Sequence, residues 1–172
     1  ARSYLASGGN ASLILVGKES AIREIMPDLH AGCEIYDTSE VVDMGEPPLQ
    51  ALRKKKNASI AVAARLVREG KADALLSAGS TGAQMAASLL EIGRIPGVER
   101  PAIAVMLPSS EEYGVLLLDV GANVDSRAPH LLQFALMGAA YYEKVCGIKN
   151  PKVGLLSIGE EESKGNDLTR SV

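Results

Sequence analysis

The chain has 172 residues, 47% of them hydrophobic and 23% charged, with 18 basic against 21 acidic side chains and a net charge of −3. That length supports a domain with a real core, burying roughly 70% of the surface its unfolded chain exposes. The charge balance excludes a general nucleic-acid binder, which carries a basic surplus, and the absence of Trp with a single Phe, Phe134, leaves no stacking platform for bases.

In chain order, Ala1 to Leu5 has the character of a helix already under way, with no initial methionine. Strands are expected at Leu13–Val16, Glu34–Tyr36, Ala74–Ser77, Ala102–Leu107, Val115–Asp119 and Val153–Ile158. Several of these are continuously apolar, the pattern of strands covered on both faces. Helical periodicity marks Glu19–Met26, Pro48–Arg68, Thr81–Ile92 and Pro129–Val145, and a last helix begins near Asn166. The alternation predicts an α/β fold with a mostly parallel, doubly wound sheet. Ser109 to Gly114 reads as a hairpin turn, so part of the sheet is expected to be antiparallel. A single α/β domain over 1–172 is expected, and the two ends suggest a piece of a longer protein.

Other classes lack their signatures. Cys33 and Cys146 are far apart and form no CxxC; they read as reduced, buried thiols of a cytosolic protein. His30 lies near Cys33 without a second cluster, so no metal is expected. No apolar run approaches the ~20 residues of a membrane span. Neither a GxSxG elbow nor a dinucleotide or Walker fingerprint is present, so no cofactor is expected.

In open α/β sheets ligands bind beyond the carboxyl ends of the strands. After Leu76 comes Ser77-Ala78-Gly79-Ser80-Thr81-Gly82, then a helix. Small residues there let a ligand approach the backbone, and a helix N-terminus offers free N–H groups to an anion. The same residues equally suit a tight βα turn. After Leu118, Asp119-Val120-Gly121-Ala122-Asn123 is either a polar wall of the binding crevice or an Asx-type turn closed by its own side chains. Arg53 and Lys55 belong to a basic run, Arg53 to Lys56, that is either a solvated helix face or a contact for an acidic partner. Glu160 to Glu162 suit a helix N-terminus, but Lys164 does not, because the helix dipole disfavours a cation there. Placed before Gly165 and Asn166, a flexible residue and an expected N-cap, Lys164 is a candidate anion ligand. With no nucleophile pair in the chain, inorganic phosphate fits as a nucleophile brought by the substrate.

These motifs follow one another in order: Ala51-Leu-Arg-Lys-Lys-Lys-Asn-Ala-Ser59, Ser77-Ala-Gly-Ser-Thr-Gly-Ala83, Leu118-Asp-Val-Gly-Ala-Asn-Val-Asp125, His130-Leu-Leu-Gln133, and Val153-Gly-Leu-Leu-Ser-Ile-Gly-Glu160 through Lys164-Gly-Asn166. Together they closely resemble the bacterial phosphate acyltransferase family, PlsX, of phospholipid synthesis. The resemblance implies conversion of acyl-[acyl carrier protein] and phosphate into acyl phosphate and free carrier protein. It also implies a three-layer α/β/α sandwich like that of isocitrate and isopropylmalate dehydrogenases, and a homodimer. Further implications are a cytoplasmic location with peripheral association at the inner face of the membrane, and delivery of product to a membrane glycerol-3-phosphate acyltransferase. The resemblance further implies that the chain is the N-terminal half of a longer protein, lacking the family's first strand, and Ser80 stands where the family loop carries Asn.

Joined to the residues, the resemblance assigns catalytic roles to Lys164, Asn123 and Asp119. Substrate binding falls to Ser77, Gly79, Ser80, Thr81, Gly82, Gly121, Ala122, Gly165 and Asn166, and carrier-protein or anion contact to Arg53 and Lys55. The rival readings are a phosphotransacetylase acting on acyl-coenzyme A and a non-catalytic scaffold for carrier protein or membrane.

Overall fold

The computed structural model describes residues 2–110, 113–159, 161 and 164–172. The chain is mixed α/β and divides into two compact units, Ala1–Gly93 and Arg94–Val172.

The first unit opens with a short helix α1 (Arg2–Ala6), strand β1 (Leu13–Gly17), helix α2 (Glu19–Ile25) and strand β2 (Cys33–Asp37). β1 and β2 pair in parallel, with Leu13 opposite Cys33 and Gly17 opposite Asp37. This is the strand–helix–strand unit that the alternating pattern predicts. Asp37 Oδ1 accepts the Glu19 N–H at 2.8 Å and so meets the start of α2.

Three helices complete this unit: α3 (Pro48–Lys54), α4 (Ser59–Arg68) and α5 (Thr81–Glu91). The expected single helix over Pro48–Arg68 is thus two. The interruption is held from the segment after β2. Glu40 accepts the N–H groups of Asn57 and Ser59 at 2.8 and 2.9 Å, and the Thr38 hydroxyl donates to the Asn57 carbonyl. Those bonds replace helix bonds at 55–58, a competition invisible to periodicity. The core between the helices is built largely of methyl groups: Leu52 with Ala58, Ala61, Ala64, Ala86 and Ala87. Small side chains let helix axes approach closely, which suits α4 against α5.

The second unit contains β3 (Ala104–Leu107), β4 (Val115–Leu118), the long helix α6 (Ala128–Cys146) and the short α7 (Asp167–Arg170). β3 and β4 form the expected antiparallel hairpin, Ala104 opposite Leu118 and Leu107 opposite Val115. Glu111 and Glu112 of its turn lie outside the described residues. Gly114 has φ +76°, and a Cβ there would stand 2.3 Å from the Leu107 carbonyl oxygen, so the turn accepts only glycine. α6 packs on β4 through Gly138, where a Cβ would come within 3.1 Å of Leu118 Cδ1. Phe134 and His130 are buried beneath the helix, His130 to 1% exposure. The Arg127 N–H donates to His130 Nδ1 at 3.2 Å, and His130 Nε2 lies 3.2 Å from both Arg127 Nη2 and Glu99 Oε2.

Two expected strands, 74–77 and 153–158, make no ladder among the described residues. Both are apolar, but Leu76 is 98% and Ile158 86% exposed. A strand needs a neighbour to take its hydrogen bonds, and apolar composition alone does not supply one. Among the described residues the strands form two pairs, β1 with β2 in parallel and β3 with β4 antiparallel, in place of the expected mostly parallel sheet. Both cysteines are free and half-buried. Among the described residues no helix is long and apolar enough to cross a membrane, and no cluster of potential metal ligands occurs.

Candidate functional site

In the first unit the segment Ser77–Gly82 leads into α5. Ser80 is the helix N-cap, its Oγ accepting the Ala83 N–H at 3.3 Å, and Ser77 Oγ accepts the Gly79 N–H at 3.1 Å. A Cβ on Gly82 would lie 3.2 Å from Pro48 Cγ, so the absent side chain lets the start of α5 sit against the start of α3. The turn reading is therefore realised in part, since two of its amides are closed by its own serines. The N–H groups of Thr81 and Gly82, at the start of α5, engage no partner among the described residues and are open to an anion. Ser80 in its observed role is a cap, a task a hydroxyl performs as well as an amide.

Arg53 on α3 is exposed and unpaired among the described residues. Lys55 is not free. Its ammonium donates to both carboxylate oxygens of Glu46 at 2.8 and 2.7 Å and to the Val41 carbonyl at 2.8 Å. The Glu46 hydrogen bond raises the Lys55 pKa, and Lys55 in turn lowers that of Glu46.

In the second unit Asp119 ends β4 and organises the turn after it. Its Oδ1 accepts the N–H groups of Ile103 at 2.8 Å and Ala122 at 3.0 Å. Its Oδ2 accepts the Asn123 N–H at 2.8 Å and the Asn123 side-chain amide at 3.0 Å. Burial pushes the carboxyl upward, but these four donors outweigh it and hold Asp119 below the ordinary aspartate value. The Asn123 amide also donates to the Pro101 carbonyl at 2.8 Å, so both of its hydrogens are engaged. Asp119, Gly121, Ala122 and Asn123 therefore come together as one knot, with Gly121 at φ +118° providing the bend. The knot matches the Asx-turn expectation and ties the turn to the chain entering β3.

Lys164 lines a different feature, an open depression of about 340 Å³. Around it stand Ser157, Gly159, Glu161, Thr169 and Arg170; Asp119 and Asn123 do not line it. Two glycines shape this wall. A Cβ on Gly159 would meet Lys164 Cγ at 3.0 Å, and one on Gly165, at φ +92°, would lie 2.2 Å from Thr169 Oγ1 and 3.0 Å from Ser157 Oγ. Gly165 thus lets the Lys164 loop pass directly over Ser157. Asn166 is the expected N-cap: its Oδ1 accepts the Thr169 N–H at 2.9 Å, and Thr169 Oγ1 accepts the Asn166 N–H at 2.9 Å. Among the described residues the Lys164 ammonium has no ion pair. Glu160 and Glu162, expected beside it, lie outside the described residues.

Sequence reasoning missed Ser157, Thr169 and Arg170 as neighbours of Lys164. The available signal was spacing, because Thr169 and Arg170 fall three and four residues after the Asn166 cap, one helical turn away.

A profile of the fatty acid synthesis protein family matches residues 3–172. The chain is 59% identical over 161 residues to a phosphate acyltransferase of Desulfitobacterium hafniense (strain DSM 10664 / DCB-2), covering 92% of this chain and 48% of the relative. It is 59% identical over 160 residues to a phosphate acyltransferase of Heliobacterium modesticaldum, covering 91% and 48%. A third phosphate acyltransferase, from Moorella thermoacetica, is 53% identical over 166 residues, covering 95% and 49%. The chain spans about half the length of the curated relatives it matches. On this evidence the chain belongs to the fatty acid synthesis protein family, whose curated relatives are phosphate acyltransferases of the PlsX kind.

Proposed function

We propose that this chain carries phosphate-handling segments of an acyltransferase that converts acyl-[acyl carrier protein] and inorganic phosphate into acyl phosphate and free carrier protein. Family membership over nearly the whole chain supports the reaction class. The single observation that carries the site is Lys164, an ammonium without an ion pair among the described residues, on the wall of an open depression.

The chemistry asks little of the protein's own nucleophiles. A phosphate oxygen attacks the thioester carbonyl carbon, the C–O bond forms, and the carbonyl oxygen takes on negative charge. Collapse breaks the C–S bond, and the proton of the hydrogen phosphate goes to the departing sulfur. The protein has to hold a dianion, orient it and stabilise the oxyanion, for which one well-placed donor is worth about 10²–10³ in rate. Lys164 neutralises the phosphate. The free Thr81 and Gly82 amides are anion-seeking donors suited to the same reaction. Asp119 acts as a positioning residue that holds the 119–123 turn. Asn123 has to release Pro101 or Asp119 before its amide can serve an oxyanion.

The wider setting is proposed on the same basis: a three-layer dehydrogenase-like fold in the complete protein, a homodimer, a cytoplasmic enzyme at the inner membrane face, and a membrane glycerol-3-phosphate acyltransferase as consumer of the product. The test is phosphate-dependent loss of thioester from acyl carrier protein and from acyl-coenzyme A, by a protein of full family length carrying this segment. Lys164→Ala is expected to lower turnover at least about 100-fold with an unchanged melting temperature. Full activity in that variant removes Lys164 from the mechanism. Preference for the coenzyme A donor favours a phosphotransacetylase, and no phosphate-dependent loss with either donor favours a scaffold.

A further inference from the structure

We infer that Arg170 is the second cation of the Lys164 depression and fixes the orientation of the bound oxyanion, an inference that rests on the phosphate-binding reading above. Three observations converge. Arg170 lines the same depression of about 340 Å³ as Lys164. The only side-chain hydrogen bond of Arg170 among the described residues is from Nη2 to the Gly165 carbonyl at 3.3 Å, which leaves most of the guanidinium's donors unengaged. The Ser157 hydroxyl on the same wall has no partner there either. The described lining side chains include two cations, Lys164 and Arg170, and one carboxylate, Glu161.

The two cations differ in what they can do. A lysine ammonium is a point charge that attracts a phosphate from any side. A guanidinium presents a planar fork that grips two oxygens at once and so sets the direction of the others. Attack on a thioester needs one phosphate oxygen aimed at the carbonyl carbon, and a point charge alone does not aim it. The Gly165 contact anchors one edge of the fork to the loop that carries Lys164. The two charges thus sit on adjoining segments, the loop and helix α7, joined at the Gly165 carbonyl.

The test uses Arg170→Gln and Arg170→Lys in a protein of full family length. Initial rates are measured against phosphate at saturating thioester and against thioester at saturating phosphate, with equilibrium dialysis of labelled inorganic phosphate alongside. Arg170→Gln is expected to raise the phosphate KM about tenfold to a hundredfold, the loss of charge-assisted hydrogen bonds, while the thioester KM holds. Arg170→Lys is expected to recover part of that loss, since it restores charge but not the fork. A phosphate KM within about twofold of wild type in Arg170→Gln overturns the inference, as does an equal rise in both KM values, which marks a merely structural role. If the unmodified protein forms no acyl phosphate, the proposed reaction falls, and dialysis still decides the anion site. Weaker phosphate binding by Arg170→Gln then supports the site, and equal binding overturns it.

Discussion

Replacing Asp119 with asparagine tests the knot after β4 directly. The carboxylate accepts four hydrogen bonds, from Ile103, Ala122 and both nitrogens of Asn123. Asparagine keeps one carbonyl oxygen for one pair of donors and turns an NH₂ group toward the other pair. Hydrogen bonds to a charged partner contribute about 1.5–3 kcal/mol each. With the site half-buried and two bonds lost, the expected destabilisation is about 2–4 kcal/mol at pH 7. The pH dependence carries a sign as well. The folded-state pKa of Asp119 is depressed, so its stabilisation is complete above the unfolded value of about 3.9 and is lost as pH falls through the folded value. Urea unfolding at a series of pH values is the assay. The gap between Asp119→Asn and the parent should hold steady between about pH 7 and 5 and narrow below about pH 4. A gap under about 0.5 kcal/mol at pH 7, or one undiminished at pH 3, would refute the hub role.

Three other substitutions probe the remaining segments. Gly165→Ala forces a side chain into φ +92° against Thr169 and Ser157; a cost of about 1–2 kcal/mol should loosen the α7 cap, read as about tenfold faster amide exchange at Thr169 and Arg170. Unchanged exchange there would show that the loop relaxes freely. Arg53→Glu should raise the KM for acyl carrier protein several-fold, because Arg53 is exposed and unpaired among the described residues. Lys55→Glu should act mainly on stability, because Lys55 already holds Glu46 and Val41. Equal KM effects from the two would mean that the ion pair opens to admit a partner.

Much of this was legible in the residues. The Leu13–Tyr36 strand–helix–strand unit and the hairpin between Ala104 and Leu118 follow from apolar runs separated by turn residues, and Asn166 is the cap its position after Gly165 implies. Interactions between distant segments were not legible. The break in Pro48–Arg68 depends on Glu40 and Thr38, donors and acceptors some twenty residues upstream. Asp119 and Asn123 could be placed at a strand end, but their partners Ile103 and Pro101 come from the previous strand's entry. The apolar segments 74–77 and 153–158 carry the composition of core strands but pair with no neighbour among the described residues. Lys164 was identified as an odd cation, whereas Arg170 needed the loop crossing at Gly165 to become its neighbour.

The alanine seam of the first unit has one more consequence. Helices that interlock through Ala58, Ala61, Ala64, Ala86 and Ala87 gain cohesion from nearness rather than from bulk. Ala58, Ala64 and Ala86 are shut in the interior, where an added methylene costs about 1–3 kcal/mol, whereas Ala61 and Ala87 border a cavity of about 210 Å³. A larger side chain is therefore costliest at Ala58, Ala64 and Ala86, which lie away from that cavity.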